Sequence, residues 1–333
     1  MILVTGGTGL VGGHLLWHLL QTNNKVIAIR RTTSNLKPLH SIFSFYSSQA
    51  DEFLSRIEWR FADVLDCRSL EEAMQGVNVV YHCAAMVSLG KVENNLQNIN
   101  VTGTKNVVQA IRTCNVKKLC FVSSIAACGK ANNANEIDED AQWNDQSERS
   151  QYAKSKYLSE QEIWKGIAQG LDAIIVNPGV ILGFSATNSG SAQLFSQVKK
   201  GLIFYTNGGS GYVDVKDVVR IMIQLTNSEI KNERFILVAE NCSNKTILNL
   251  MADGFNKHRP FILIGKKTLM FIASLFELLG KLFNFQPFID TSTARSASNR
   301  AYYSNKKIKD TLGISFQPIS KCIKEVCELM ILK

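Results

Sequence analysis

The chain opens with three apolar residues, Ile2-Leu3-Val4, that run straight into Gly6-Gly7-Thr8-Gly9-Leu10-Val11-Gly12. The glycines fit G-x-G-x-x-G at 7, 9 and 12 and G-x-x-G-x-x-G at 6, 9 and 12. Leu10, Val11, Leu15, Leu16, Leu19 and Leu20 then recur at helical spacing. A glycine match alone is weak, but a strand that feeds a glycine turn and an amphipathic helix is strong context. Such a turn lets backbone approach a pyrophosphate, and the helix N-terminus offers free amides and a favourable dipole. The expected ligand is a dinucleotide, with Gly6, Gly9, Leu10, Val11 and Gly12 around its phosphates. The competing reading is a plain turn.

Strand and helix patterns alternate beyond this point. Strands are expected at Val26–Ile29, Ile57–Phe61, Val77–His82, Lys118–Ser123 and Ala173–Val176. Helices are expected at Leu70–Met74, Asn98–Thr113 and Tyr152–Ile167. The strands are continuous apolar runs of the parallel-sheet kind. The fold class is therefore α/β, a Rossmann-type doubly wound parallel sheet with a smaller, mostly helical C-terminal lobe. Residues 1–176 form the dinucleotide-binding unit, and 212–240 return to it. Residues 177–211 and 241–333 form the substrate lobe.

Bulk properties exclude several classes. At 45% hydrophobic and 20% charged residues, the chain reads as globular rather than disordered. The net charge of +9 is spread thinly, and no run of five basic residues marks a nucleic-acid partner. The eight cysteines form no C-x-x-C pair, so no metal site is expected. Cys83 and Cys120 lie in apolar runs, which suits reduced thiols in a cytoplasmic protein. Met1–Thr5 read as core strand, so a cleaved leader is not expected. Thr268–Phe283 is apolar but carries Glu277 and Lys281, and is too short and too charged to span a membrane. It reads as a buried or amphipathic helix, with contact to a membrane surface as the alternative.

The end of the second strand selects between cofactors. An acidic residue there would accept from the adenosine ribose and repel a 2′-phosphate. This chain has Arg30 and Arg31 followed by Thr32, Thr33 and Ser34. Guanidinium groups and hydroxyls suit a phosphate monoester, so NADP is expected, with NAD as the alternative. Tyr152 and Lys156 share one helix face, and Ser124 ends the fifth strand. A tyrosine titrates near ~10, and a neighbouring ammonium would lower it toward use as an acid or base. The expected catalytic set is Ser124, Tyr152 and Lys156.

With these residues in place, the sequence resembles the extended short-chain dehydrogenase/reductases, which are NAD(P)-dependent and epimerase/dehydratase-like. Its pattern is nearest to dihydroflavonol reductases and 3β-hydroxysteroid dehydrogenases. The resemblance implies cofactor contacts from Asp63 and Val64 after the third strand. It implies others from Cys83, Ala84 and Ala85 in the H-x-A-A segment, and from Asn100 in N-x-x-G-T. Pro178 and Val180 would lie near the nicotinamide, and Tyr152 and Lys156 also touch the cofactor. Gly129 sets the register of S-S-x-x-x-x-G on Ser124, with Cys128 where the family often has Tyr. Asn177 replaces a frequent Arg. Asp217 is expected to be structural, and Tyr302-Tyr303-Ser304 with Lys306 and Leu312-Gly313 extends the resemblance toward the C-terminus.

The expected function is an NADP-dependent oxidoreductase that reduces an aldehyde or ketone, or oxidises the matching alcohol, with Tyr152 as acid/base. A sugar-nucleotide epimerase holding NAD is the alternative, and Arg30-Arg31 argues against it. A non-catalytic NADP-binding sensor is disfavoured by the intact Ser124, Tyr152 and Lys156. The expected partner is a small carbonyl or alcohol, with no nucleic acid and no transmembrane segment. The Phe-, Leu- and Ile-rich stretch from Asn241 to Arg300 fits ordinary core or a lipophilic substrate. The resemblance also implies a homodimer.

Overall fold

The structure is a computed structural model and describes residues 1–87, 95–129, 136–144, 149–185, 190–283 and 291–332. Parts of the glycine- and serine-rich stretch (186–189) and of the late apolar stretch (284–290) lie outside these residues.

In chain order the first half comprises β1 (Ile2–Thr5), α1 (Leu10–Leu20), β2 (Val26–Arg30), α2 (Lys37–Tyr46), α3 (Ala50–Ser55), β3 (Ile57–Phe61), α4 (Cys67–Ala73) and β4 (Val79–His82). It continues with α5 (Gly103–Thr113), β5 (Lys118–Val122), α6 (Gln151–Ala168), β6 (Ala173–Pro178) and β7 (Val180–Leu182). Then come α7 (Ser191–Lys199), β8 (Phe204–Tyr205), β9 (Gly209–Asp214), α8 (Val215–Thr226), β10 (Glu233–Leu237) and β11 (Glu240–Ser243). The chain closes with α9 (Asn244–Gly254), β12 (Ile262–Leu263), α10 (Lys266–Phe283), α11 (Thr291–Ser298), α12 (Lys306–Leu312) and α13 (Ile319–Leu332).

Among the described residues the main sheet has seven parallel strands in the order β10-β6-β5-β4-β1-β2-β3. The strand order reverses between β1 and β4, so a crevice opens there at the carboxyl edge. Alternate residues feed opposite faces, as a period of two requires. Val4, Ala28, Tyr81, Cys120 and Ile174 pack with Leu15, Leu16, Val218 and Met222 on one face. Leu3, Ile27, Val80, Phe121 and Ile175 pack with Leu70, Val107, Ile111 and Ile163 on the other. Burial on both faces explains why the strands read as unbroken apolar runs.

Three features depart from the expectation. The pattern over Asn98–Thr113 is not one regular helix, because Asn98–Thr102 is a π turn leading into α5. The helices α2 and α3 fill a stretch where none is expected. Leu39, Ile42 and Phe43 bury the apolar side of α2, and His14 of α1 holds it through Tyr46 (Nδ1 to Oη 2.5 Å). The return over 212–240 is divided. α8 and β10 join the main sheet, but Tyr212 and Val213 lie in β9, which belongs to a second sheet ordered β11-β9-β7. The backbones pass closely at this branch. A β-carbon on Gly179 would stand 2.4 Å from the Gly211 carbonyl oxygen, so the chain leaves β6 by passing directly against β9.

Gly129 has a similar constraint. A β-carbon there would lie 1.8 Å from the Gln142 carbonyl oxygen. Gly129→Ala should destabilise the protein by about 3 kcal/mol, an overpacking cost with no flexible side chain to yield. Urea unfolding followed by circular dichroism measures this, and an unchanged midpoint would contradict the close approach.

Candidate active site

The glycine turn separates into two roles. Gly6 has φ +69°, and a β-carbon on it would meet the Ala84 backbone nitrogen at 2.6 Å. On Gly12 a β-carbon would stand 2.2 Å from the Gly6 carbonyl oxygen. The protein's own packing therefore demands both. Gly9 differs, because its β-carbon would meet only the Gly6 oxygen, at 3.3 Å, and the residue is exposed. Gly9 caps α1 without a side-chain hydrogen bond. The first amides of α1 thus face a cradle that a side chain would fill, and this fits a pyrophosphate. Leu10 and Val11 are partly exposed in that first turn.

At the end of β2, Arg30 is half-buried. Its guanidinium lies 5.5 Å from the ring centre of Trp59 and 5.0 Å from that of Phe61. Its Nε is buried without a hydrogen-bond partner, an unmet donor that costs about 1–3 kcal/mol unless an anion satisfies it. Arg31 is exposed, and its backbone nitrogen donates to Ser34 Oγ at 3.0 Å. Asp63 follows β3, and its carboxylate accepts from the Leu65 amide at 2.9 Å. Val64 packs toward Gly103 at the start of α5.

A buried polar chain joins β1, β4 and α5. The Ala84 amide donates to Thr5 Oγ1 (3.1 Å), which lies 2.8 Å from His82 Nδ1. His82 Nε2 is 3.1 Å from Thr104 Oγ1, which donates to the Asn100 carbonyl at 2.6 Å. Thr104 gives its proton to the Asn100 carbonyl and so accepts from Nε2–H, and in the neutral imidazole Nδ1 then accepts from Thr5. Burial agrees, because it pushes His82 down to about 3. This chain fixes the segment Cys83-Ala84-Ala85, which stays partly exposed along the crevice.

Asn100 is committed to protein groups. Its Oδ1 accepts from the Met86 amide (2.7 Å), and its Nδ2 donates to the Met86 carbonyl and to Ser155 Oγ (both 3.0 Å). The side chain ties the β4 segment to α6. Pro178 is buried at the end of β6, and Val180 is exposed at the start of β7.

Ser124, Tyr152 and Lys156 come together at the carboxyl edge of β5. Ser124 lies two residues beyond the strand, and its Oγ accepts from the Ala126 amide at 3.1 Å. Its hydroxyl lies close enough to the Tyr152 phenol to favour the ionised form. Lys156 is buried, and its ammonium donates to the Val122 carbonyl at 2.8 Å. The expectation that Lys156 lowers the phenol is not met here. Burial raises Tyr152 above its ordinary value, and the Ser124 hydroxyl offsets this only in part. The ammonium is turned to Val122, so the tyrosine stays a protonated donor. Burial also pulls Lys156 down to about 8, against the pull of the Glu160 carboxylate.

Glu160 was not among the expected site residues. It is buried one turn beyond Lys156, accepts from Asn177 Nδ2 (2.5 Å) and pairs with Arg234 (3.4 Å). Asn177 also donates to the Ser124 carbonyl at 2.9 Å. The polar residue that stands where the family often has Arg therefore links α6 to the backbone of Ser124. The spacing 152, 156, 160 was the available signal, three polar residues on one helix face. Cys128 is buried and packs with Ile125, Ile236 and Val238. Asp217 accepts from Arg220 (2.6 Å) and from the Gln317 amide (2.7 Å), which anchors the C-terminal segment.

Residues 2–238 match the model of the NAD dependent epimerase/dehydratase family. The chain belongs to that family. Among curated relatives it is 28% identical to sterol demethylase protein B of Methylococcus capsulatus, over 84% of this chain and 82% of that one. It is 27% identical to a putative dihydroflavonol 4-reductase of Synechocystis sp., over 97% and 92%. The solved structure of gox2253 shares the fold at a TM-score of 0.82, with 24% identity, over 100% and 98% of the two chains. Among the described residues no helix is long and apolar enough to cross a membrane.

In this family member the charge of Lys156 rests on Glu160. Glu160→Gln keeps the Asn177 hydrogen bond but removes the carboxylate that holds the ammonium charged. Lys156 should then lose its proton at lower pH than the native value of about 8. Calorimetric titration with NADPH across pH should show the alkaline loss of affinity moved toward neutrality. A profile unchanged from the parent would remove Glu160 from this role.

Proposed function

We propose that the protein is an NADP-dependent reductase of aldehydes or ketones, able to run the reverse alcohol oxidation. The observation that carries this reading is the meeting of Ser124, Tyr152 and Lys156 at the carboxyl edge, with the phenol kept protonated by burial. When bound, the nicotinamide supplies the hydride. Ser124 donates to the substrate oxygen and polarises it. Tyr152 gives its proton to the alkoxide as the bond order falls. Lys156 holds the ribose hydroxyls while Val122 and Glu160 fix its position. The likeness to a putative dihydroflavonol 4-reductase over nearly the whole chain supports reduction rather than epimerisation.

NADP preference is drawn from Arg30. A buried, unpartnered Nε beside two aromatic rings suits a 2′-phosphate, and the exposed Arg31 would add a second cation. The remaining cofactor contacts are assigned to Gly6, Gly9, Leu10, Val11, Gly12, Asp63, Val64, Cys83, Ala84, Ala85, Pro178 and Val180. Asn100 acts by holding Met86 in place. We place the protein in the cytoplasm, a compartment that suits free thiols such as the buried Cys120, Cys128, Cys322 and Cys327.

Two measurements test this. NADPH should bind more than about tenfold tighter than NADH, and Arg30→Ala should erase most of that margin. Tyr152→Phe should lower turnover on a carbonyl panel by about 10²–10⁴-fold while leaving NADPH affinity near native. A stoichiometric, slowly exchanging NAD carried through purification would instead make the epimerase the better reading.

A further inference from the structure

The strands β8 and β12 pair in parallel, with Ile262 beside Phe204 and Leu263 beside Tyr205. This two-stranded sheet shows its apolar side chains to solvent. Ile203, Phe204, Phe261, Ile262 and Leu263 are all exposed, Phe261 to 68%. The helix α10 begins three residues beyond Leu263 and carries apolar surface of its own. Leu269 and Ala273 bury one side of it against Ala294 of α11. Phe271, Leu275 and Leu278 recur at i, i+4 and i+7 and are exposed, Phe271 to 70%. An exposed apolar stripe on a helix that already has a buried one is uncommon on a lone globular surface and marks an interaction face.

The charge around this face is mostly positive. Lys199 and Lys200 precede β8, and Lys257 and Arg259 precede β12. Because the strands are parallel, both sets stand at the same end of the small sheet. Lys266 and Lys267 stand at the other end, exposed at the start of α10. The nearby carboxylates are already engaged. Asp253 pairs with Arg259 at 2.8 Å, and Glu277 accepts from the Thr291 amide and hydroxyl. A second copy docked through the same face would set lysines against lysines. A plane that is apolar within and anionic at its surface complements the exposed apolar side chains and the excess of lysines around them.

We infer that the face built from β8, β12 and the outer side of α10 binds the surface of an anionic phospholipid bilayer, with Phe261, Phe271, Leu275 and Leu278 inserted and the flanking lysines on headgroups. The inference does not rest on the reductase reading, since none of these residues belongs to the candidate active site. It is peripheral attachment and needs no spanning helix.

Flotation of the full chain with large unilamellar vesicles tests it. The probes are vesicles of phosphatidylcholine alone and of phosphatidylcholine mixed with phosphatidylglycerol. The protein should float with the mixed vesicles at low salt and be released as salt rises. Lys266→Gln with Lys267→Gln should weaken binding about 25-fold, roughly fivefold for each lysine. Phe271→Ser with Leu275→Ser should abolish flotation without lowering the melting temperature, since both side chains are exposed. Failure of the parent protein to float with the mixed vesicles would overturn the inference, as would equal flotation of the Phe271→Ser/Leu275→Ser variant. Light scattering that shows a dimer dissociated by Phe271→Ser/Leu275→Ser would assign the face to a second copy instead.

Discussion

The chain of hydrogen bonds from Ala84 through Thr5, His82 and Thr104 to Asn100 runs in one direction only. Each hydroxyl has a single proton to give, and the imidazole must accept at Nδ1 and donate at Nε2. No water is needed to complete it. It crosses the point where the strand order reverses, the one place in a doubly wound sheet where backbone ends without a helix directly above it. Asn100 carries the linkage onward to Ser155, and so to the helix that bears Tyr152 and Lys156. The crevice floor and the reactive helix are thereby held to the same frame.

Lys156 shows how that frame sets chemistry. Its surroundings are apolar enough to draw an ammonium toward neutrality, and Phe121 lies 4.8 Å beneath it. Glu160, itself buried, supplies the opposing charge and is shared with Asn177 and Arg234. Three helix residues at successive turns thus divide the work. The outermost faces the crevice, the second is held at the edge of ionisation, and the third keeps it there. Asn177 then transmits the position of this column to the backbone of Ser124.

Much of this was legible in the sequence, for physical reasons that can be named. Strands buried on both faces leave unbroken apolar runs, and a turn that must pass close to another backbone leaves glycines. Hence β1 to β6, α1 and the residues Ser124, Tyr152 and Lys156 could all be read directly. The elements that went unread carry weaker signals. α2 buries only Leu39, Ile42 and Phe43 among serines and exposed positions. β8 and β12 have two residues each, too few to show any period. Cys128 stands where the family often has Tyr, and sequence cannot show that it is buried against Ile236 and Val238. Glu160 was hidden for a related reason. A polar residue inside a helix pattern reads as solvent-facing until the partners that bury it are known, and Arg234 lies 74 residues away.

The unequal glycines of the first turn bear on how such a chain can change over time. At positions 6 and 12 a side chain would collide with the protein's own backbone, so drift there is barred by the need to fold at all. At position 9 a methyl group would meet the protein only at the Gly6 carbonyl oxygen, 3.3 Å away, and would otherwise stand in the open cradle. A descendant could therefore abandon its nucleotide by one step at that position and persist as an intact scaffold, free to acquire another purpose. Two of the three glycines record an architectural debt, and the remaining one records a trade.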